Sequence, residues 1–296
     1  MSDPKLWGLA FGLLGALCQA LNYALTKSCQ EKHGLRGMHL LIACHGFMFL
    51  LSIAPFLINK SWRYADAGVF MWIAAVIFPY LLAQYLCNAA IAASDSSLVS
   101  PLLTLKIPVL ALISVFVLGQ SFNAFQTAAV VLIVSLGWYF SSLAGRISLK
   151  PMLLVAGTVL CYCLSDLSMV QFMKHLAATY NAGRADQIIT GVTYEYVLCG
   201  LILFPFGIAG KWRTTPSDIW HTGGVATLWV LSVYFFVACF NLDGVVAGNI
   251  VQSLRSVIGV VIAYVFYRKY IRDHASFRKK LMIAAGMFFA VGLYYA

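Results

Sequence analysis

"SPLLTLKIPVLALISVFVLG", residues 100–119, is apolar almost throughout, yet Lys106 and Pro108 stand in its middle. Its length is about that of a helix crossing the hydrocarbon core of a bilayer. A charge at the centre of such a helix costs at least about 2.5–3.5 kcal/mol, so its default reading is a function with a named partner. At a constant offset of 149 residues lies "NIVQSLRSVIGVVIAYVFYR" (249–268), which sets Leu254 over Leu105 and Arg255 over Lys106. The same offset lays "LMIAAGMFF" (281–289) over "LIVSLGWYF" (132–140), with Gly286 over Gly137. A weaker match, at an offset of 147, pairs "LCQALNYALTK" (17–27) with "LSDLSMVQFMK" (164–174).

The rest of the chain fits a membrane reading. Of its 296 residues 61% are hydrophobic and 10% charged, whereas a soluble chain carries about 25% charged residues. Apolar runs predict ten helices, over 6–27, 37–58, 68–91, 97–119, 123–143, 151–173, 187–209, 220–241, 245–267 and 278–296. Five helices per half is an odd number, so consecutive halves enter the membrane with opposite orientation. The expected fold is an all-α polytopic membrane protein of ten transmembrane helices in two inverted five-helix repeats, 1–145 and 146–296. Carriers built this way keep their site near the midplane, where the repeats meet.

The net charge of +10 sits mostly between apolar runs, where basic residues meet headgroups and set orientation; nucleic acid is excluded as a partner. "RKYIRDHASFRKK" (268–280) is the densest basic loop. The charge bias puts both termini outside the cytoplasm. The N-terminal apolar run has no A-x-A-like cleavage site and reads as a first membrane helix. The eight cysteines lack a CxxC pair and read as apolar packing residues rather than metal ligands. No HExxH, GxSxG or His/Asp cluster points to an enzyme, and no cofactor is expected.

The "P-x-L-T" of 101–104 followed by "VLG" (117–119) and "LIVSLGWYF", repeated in the second half, resembles the drug/metabolite transporter superfamily, most nearly its EamA-like branch. The resemblance covers the whole chain and is strongest over 97–140 and 246–289. It implies a carrier of small organic metabolites working by alternating access, with both termini cytoplasmic, in a bacterial inner membrane. The orientation conflicts with the charge bias. The chain departs from the family in having Gln120 where a glutamate is frequent, with Lys269 opposite it in the repeat. The organophosphate carriers of the superfamily, the triose-phosphate translocators among them, place phosphate-holding basic residues on their fourth and ninth helices, and Lys106 and Arg255 fall there.

Four ionisable residues lie inside the expected helices: Lys106, Asp166, Glu195 and Arg255. Two cations at matching depth would clamp a carboxylate or phosphate, arginine bidentately and lysine as a point charge. Alternatively they pair with Asp166 and Glu195. Carboxyl groups in apolar surroundings can also take and release a proton near neutral pH, so these two are candidates for proton coupling. Uncharged polar stripes add Gln19, Asn22 and Thr26 on helix 1, Tyr80, Gln84 and Asn88 on helix 3, and Asn249, Gln252 and Ser256 on helix 9. Such stripes face protein or water, because lipid offers them no partner, and read either as cavity lining or as interhelical glue. His45 reads as a packed polar residue, Asp95 and Asp243 as helix caps. Tyr80, Tyr85, Tyr194, Tyr196 and Tyr234 would stack on a substrate ring or mark interfaces. Gly8 and Gly12 stand at GxxxG spacing, read as close helix packing or as a homodimer contact. The functions expected are a metabolite transporter for an anionic or zwitterionic solute, coupled to protons or exchange; an exporter of amino acids or drugs; or a lipid flippase or intramembrane enzyme.

Overall fold

The computed structural model describes residues 4–93, 99, 102–116, 119, 121–143, 149–209, 212–259, 261 and 274–296. Asp95, Gln120, Lys269 and parts of the expected fourth and ninth spans lie outside them. Every described element is helical. They are α1 (Pro4–His33), α2 (Gly37–Ile58), α3 (Ala67–Ala93), α4 (Lys106–Phe116), α5 (Ala124–Leu143), α6 (Leu149–Tyr180), α7 (Arg184–Ile208), α8 (Gly223–Asp243), α9 (Val245–Gln252) and α10 (His274–Tyr295). Six of these, α1–α3 and α6–α8, are long and apolar enough to cross a membrane; 103–116, 124–139 and 285–295 are shorter apolar helices.

Backbone chemistry sets the tight connections. Gly34 (φ +67°) ends α1 in the left-handed region that glycine enters without a Cβ penalty. Gly244 (φ +88°) is the whole link between α8 and α9. Such short links force neighbouring helices to turn back on one another. The main packing partners are α1 with α8, α2 with α7, and α3 with α6; α5 packs on α10 and α4 on α9. Leu40, Ile73, Ile77, Phe172, Tyr196, Ile250 and Leu254 are buried between them. Phe78, Leu82, Leu201, Phe204 and Met282 face outward, as lipid-facing positions should. Gly12 lets α1 approach α9 and α8: a Cβ there would stand 2.7 Å from Val251 Cγ1 and 3.3 Å from Cys239 Sγ, and one on Gly8 would collide with the Asp243 carboxylate. The GxxxG face is therefore used inside the chain.

Two expected spans are corrected. The helix expected over 97–119 tightens part-way: a 3₁₀ turn, Leu103–Leu105, runs into α4 at Lys106 with helical backbone on both sides. Pro108 withholds the N–H that would reach the Thr104 carbonyl, within that tightened turn. The expected 245–267 helix is interrupted at the matching place. α9 stops at Gln252, a turn covers 253–254, and helix resumes over 255–259 with Arg255 as its first residue. Short-range bonds from Leu254 N–H to the Val251 carbonyl (3.1 Å) and from Ser256 N–H to the Ser253 carbonyl (3.3 Å) tighten that turn. Both buried bases therefore directly follow a tightened turn of helix.

Candidate functional site: a charged cavity

Lys106 and Arg255 line one cavity together with Asp166, Glu195, Gln19, Tyr80 and Gln252. Their partners differ. The Lys106 ammonium lies 2.8 Å from Asp166 Oδ2 and donates at 3.5 Å to Gln252 Oε1. Asn249 Nδ2 donates to the same Asp166 oxygen at 2.9 Å and to the Val245 carbonyl at 2.9 Å. Asn249 thus positions Asp166 and does not itself line the cavity. Arg255 Nη1 donates to Gln19 Oε1 at 3.0 Å, while its Nε is buried without a partner. Lys106 Nζ lies 5.1 Å from the Tyr162 ring and Arg255 Cζ 5.7 Å from the Tyr23 ring, within cation–π range.

The pairing alternative holds for one base. Lys106 is neutralised by Asp166, whereas Arg255 is 3% exposed with no carboxylate within 4 Å among the described residues. Glu195, also 3% exposed, forms no ion pair or hydrogen bond among them. An unpaired buried charge is costly, so these two side chains are the unsatisfied part of the site. The two-cation clamp expected from the sequence is reduced to one uncompensated cation and, on the same cavity, one carboxyl group without a counter-ion.

Three predicted site residues lie elsewhere. Asn22, Gln84 and Asn88 line a second, smaller cavity with Thr26 and His45. Asn22 Nδ2 donates to the Val225 carbonyl at 2.6 Å and Thr26 to Asn22 Oδ1 at 3.4 Å. Gln84 reaches back to the Tyr80 hydroxyl at 3.2 Å. His45 is a packed residue, its Nδ1 on the Leu41 carbonyl at 2.8 Å and its ring edge-on to Tyr80. Tyr85 is exposed, and Tyr194 packs against Phe56 and Phe172.

Sequence reasoning missed the aromatic walls: Tyr23, Tyr162 and Trp229, with Phe236 and Phe240. Tyr162 stacks with Trp229 at 6.5 Å and Tyr80 tilts against it at 6.5 Å. A signal existed, since Tyr23 is one turn after Gln19 and Tyr162 one turn before Asp166.

The cavity measures about 60 Å³, room for a water or two, where small-molecule sites need roughly 300–1,000 Å³. Both ends of the molecule are also tied. At one end Arg63 pairs with Asp186 at 3.5 Å, and His175 Nε2 meets Asp66 at 3.2 Å. The Tyr180 hydroxyl donates to Asp66 at 2.7 Å and the Val69 N–H at 2.6 Å, and these bonds hold the Asp66 carboxyl down at about 2. At the other end, about 33 Å away along the 22 residues of α2, His39 meets Asp218 at 3.3 Å. Burial pushes the Asp218 carboxyl up, but bonds from the Thr215 N–H and hydroxyl and the contact with His39 outweigh it and leave it below the usual range.

No family model and no curated protein matches the chain. A solved crystal structure is similar over 98% of both chains, with a TM-score of 0.65 at 12% identity. At that identity the likeness is one of fold.

Proposed function

We propose that the protein is a secondary transporter that moves a small organic metabolite with an anionic group across a membrane by alternating access. The observation that carries this reading is the cavity with the buried, uncompensated Arg255 guanidinium on its wall. A fold gains nothing by keeping such a charge unless something binds it. The two-repeat architecture is supported by the packing partners. Exchanging α1–α5 for α6–α10 in order leaves the set α1/α8, α3/α6, α2/α7, α4/α9 and α5/α10 unchanged. The contacts of the bases obey the same exchange: Lys106 on Asp166 corresponds to Arg255 on Gln19, in the register of both sequence matches. The end ties join corresponding elements as well: Arg63, after α2, meets Asp186 at the start of α7, and Asp218, after α7, meets His39 at the start of α2. These correspondences favour a ten-helix inverted repeat, and with it we propose a drug/metabolite transporter of a bacterial inner membrane rather than an enzyme. Coupling to protons or exchange falls to Asp166 and Glu195.

The test is uptake into proteoliposomes of a mixture of amino acids, carboxylates and sugar phosphates, read by mass spectrometry. Accumulation above protein-free vesicles that disappears in Arg255→Ala supports the carrier. Absence of any solute uptake together with movement of labelled lipid between leaflets would favour the flippase instead.

A further inference from the structure

We infer that the second cavity is the hydrated half of the translocation path. Water and the hydrogen-bonding groups of the solute pass through it between the charged cavity and the His39–Asp218 end, while the passage to the Arg63–Asp186 end is apolar. The inference rests on the carrier reading and gives its two exits different chemistry. Tyr23 and Trp229 line both cavities, their ring centroids 6.4 Å apart, so this aromatic pair stands between them. Beyond the pair the walls turn polar. α1 carries Asn22, Thr26 and then Gln30 toward its end at His33, which stacks at 4.1 Å on His221, three residues after Asp218. α3 runs the same way, from Tyr80 through Gln84 to Asn88, whose carbonyl accepts from Gln30 Nε2 at 3.5 Å. These five polar side chains are more than nine-tenths buried. His45 adds an open acceptor: its Nδ1 donates to the Leu41 carbonyl at 2.8 Å, and its Nε2 is buried without a partner. The cavity measures about 20 Å³, enough for one water, which needs roughly two to four polar partners. The repeat supplies the contrast. At the offset of 147, Asn22 and Thr26 fall over Met169 and Met173. At the offset of 149, Tyr80 falls over Trp229, both on the charged cavity, and Gln84 and Asn88 fall over Val233 and Val237. These apolar residues lead away from the charged cavity toward the Arg63–Asp186 end. α6 finishes there at Tyr180, bonded to Asp66, and Asn241 near the end of α8 donates at 2.8 Å to Gln187, one residue after Asp186. A narrow apolar passage excludes water, whereas a polar one holds it.

The experiment is hydroxyl-radical labelling of the purified full-length protein, with radicals made by X-ray radiolysis of water and oxidation read by mass spectrometry. Met48 lines the second cavity, and Met173 stands at the repeat position of Thr26. Each is 2% exposed, so bulk solvent favours neither. Met48 should be oxidised several-fold faster than Met173. The isosteric double variant Thr26→Val with Asn88→Leu should bring Met48 down to the Met173 rate and leave Met173 unchanged, its melting temperature showing that it folds. If that variant does not fold, the wild-type comparison decides alone. In a second arm Cys44, also on the second cavity, is kept as the single cysteine in sealed membranes. An impermeant thiol reagent should label it faster from the His39–Asp218 side. Oxidation of Met173 equal to or faster than that of Met48, or a folded double variant with Met48 unchanged, overturns the inference. So does Cys44 labelling that is absent, equal from the two sides or faster from the Arg63–Asp186 side. Solute uptake that persists beside such a result leaves the carrier standing, whereas the expected labelling without any solute uptake overturns the carrier and the transport role of the passage with it.

Discussion

Arg255 Nη1 donates to Gln19 Oε1 at 3.0 Å, from the place in its half of the chain that Lys106 occupies toward Asp166 in the other. One half of the site is charge-neutral and the other is not. The predictions below follow from that difference and from the packing that maintains it.

Asp166→Asn should leave the Lys106 ammonium buried against a neutral amide, at a cost of about 3 kcal/mol of folding free energy. Lys106→Gln alone removes the other partner. The double variant should recover part of the loss, because neither charge is then stranded. A double-mutant cycle from unfolding in detergent measures this, and additive single effects would show that the 2.8 Å contact is not a coupled pair.

Gly12→Ala should destabilise the protein by about 1–3 kcal/mol through overpacking, since the new methyl would press on Val251 of α9 at 2.7 Å. Gly292→Ala is the matched control, with no heavy atom within 4 Å of its Cβ position, and should stay within about 0.5 kcal/mol of wild type. Thermal unfolding of both variants checks the pair; equal melting temperatures would contradict the close α1–α9 approach.

Asp66 gives a pH test with a definite sign. Its carboxyl titrates at about 2 in the fold against 3.8 ordinarily, so it stabilises the fold fully above the ordinary value. That contribution is lost as the pH falls through the folded one. The melting-temperature gap between wild type and Asp66→Asn should therefore narrow as the pH drops from about 4 toward 2. A gap that widens over that interval would mean the bonds from Tyr180 and Val69 do not hold the ionised form.

Much of this was legible in the sequence, for identifiable reasons. Buried charge is rare enough in an apolar chain that Lys106, Asp166, Glu195 and Arg255 stood out, and all four line the cavity. The offset between the halves matched Lys106 to Arg255, and the weaker match set Gln19 over Asp166. Which acid met which base was not legible, because that depends on distances between helices. The polar stripes misled by angle. Four residues on a helix advance about 400°, so a stripe drifts about 40° per step while climbing about 6 Å. Tyr80 reaches the main cavity, and Gln84 and Asn88 turn into the second. On α1, Gln19 and Tyr23 face the main cavity, while Asn22 and Thr26 lie on the adjoining flank. The aromatic walls were hidden by abundance: in a chain that is 14% aromatic, the spacing of Tyr23 from Gln19 and of Tyr162 from Asp166 was a faint signal, and Trp229 carried none. Pro108 drew attention to the right turn, since the N–H it lacks would reach the Thr104 carbonyl and the helix tightens at 103–105.

The central claim, that the cavity opens alternately to the two sides of the membrane, is tested most directly by thiol accessibility at Ser165. This residue is buried beside Asp166 on the cavity wall. With the eight native cysteines replaced, Ser165→Cys in sealed membranes is treated with an impermeant thiol reagent from one side and then the other. Labelling from both sides is predicted. Asp186→Ala should speed labelling from the side of the Arg63 tie and slow it from the other, and Asp218→Ala should do the opposite. Labelling from a single side in all three proteins, or from neither, would contradict the account.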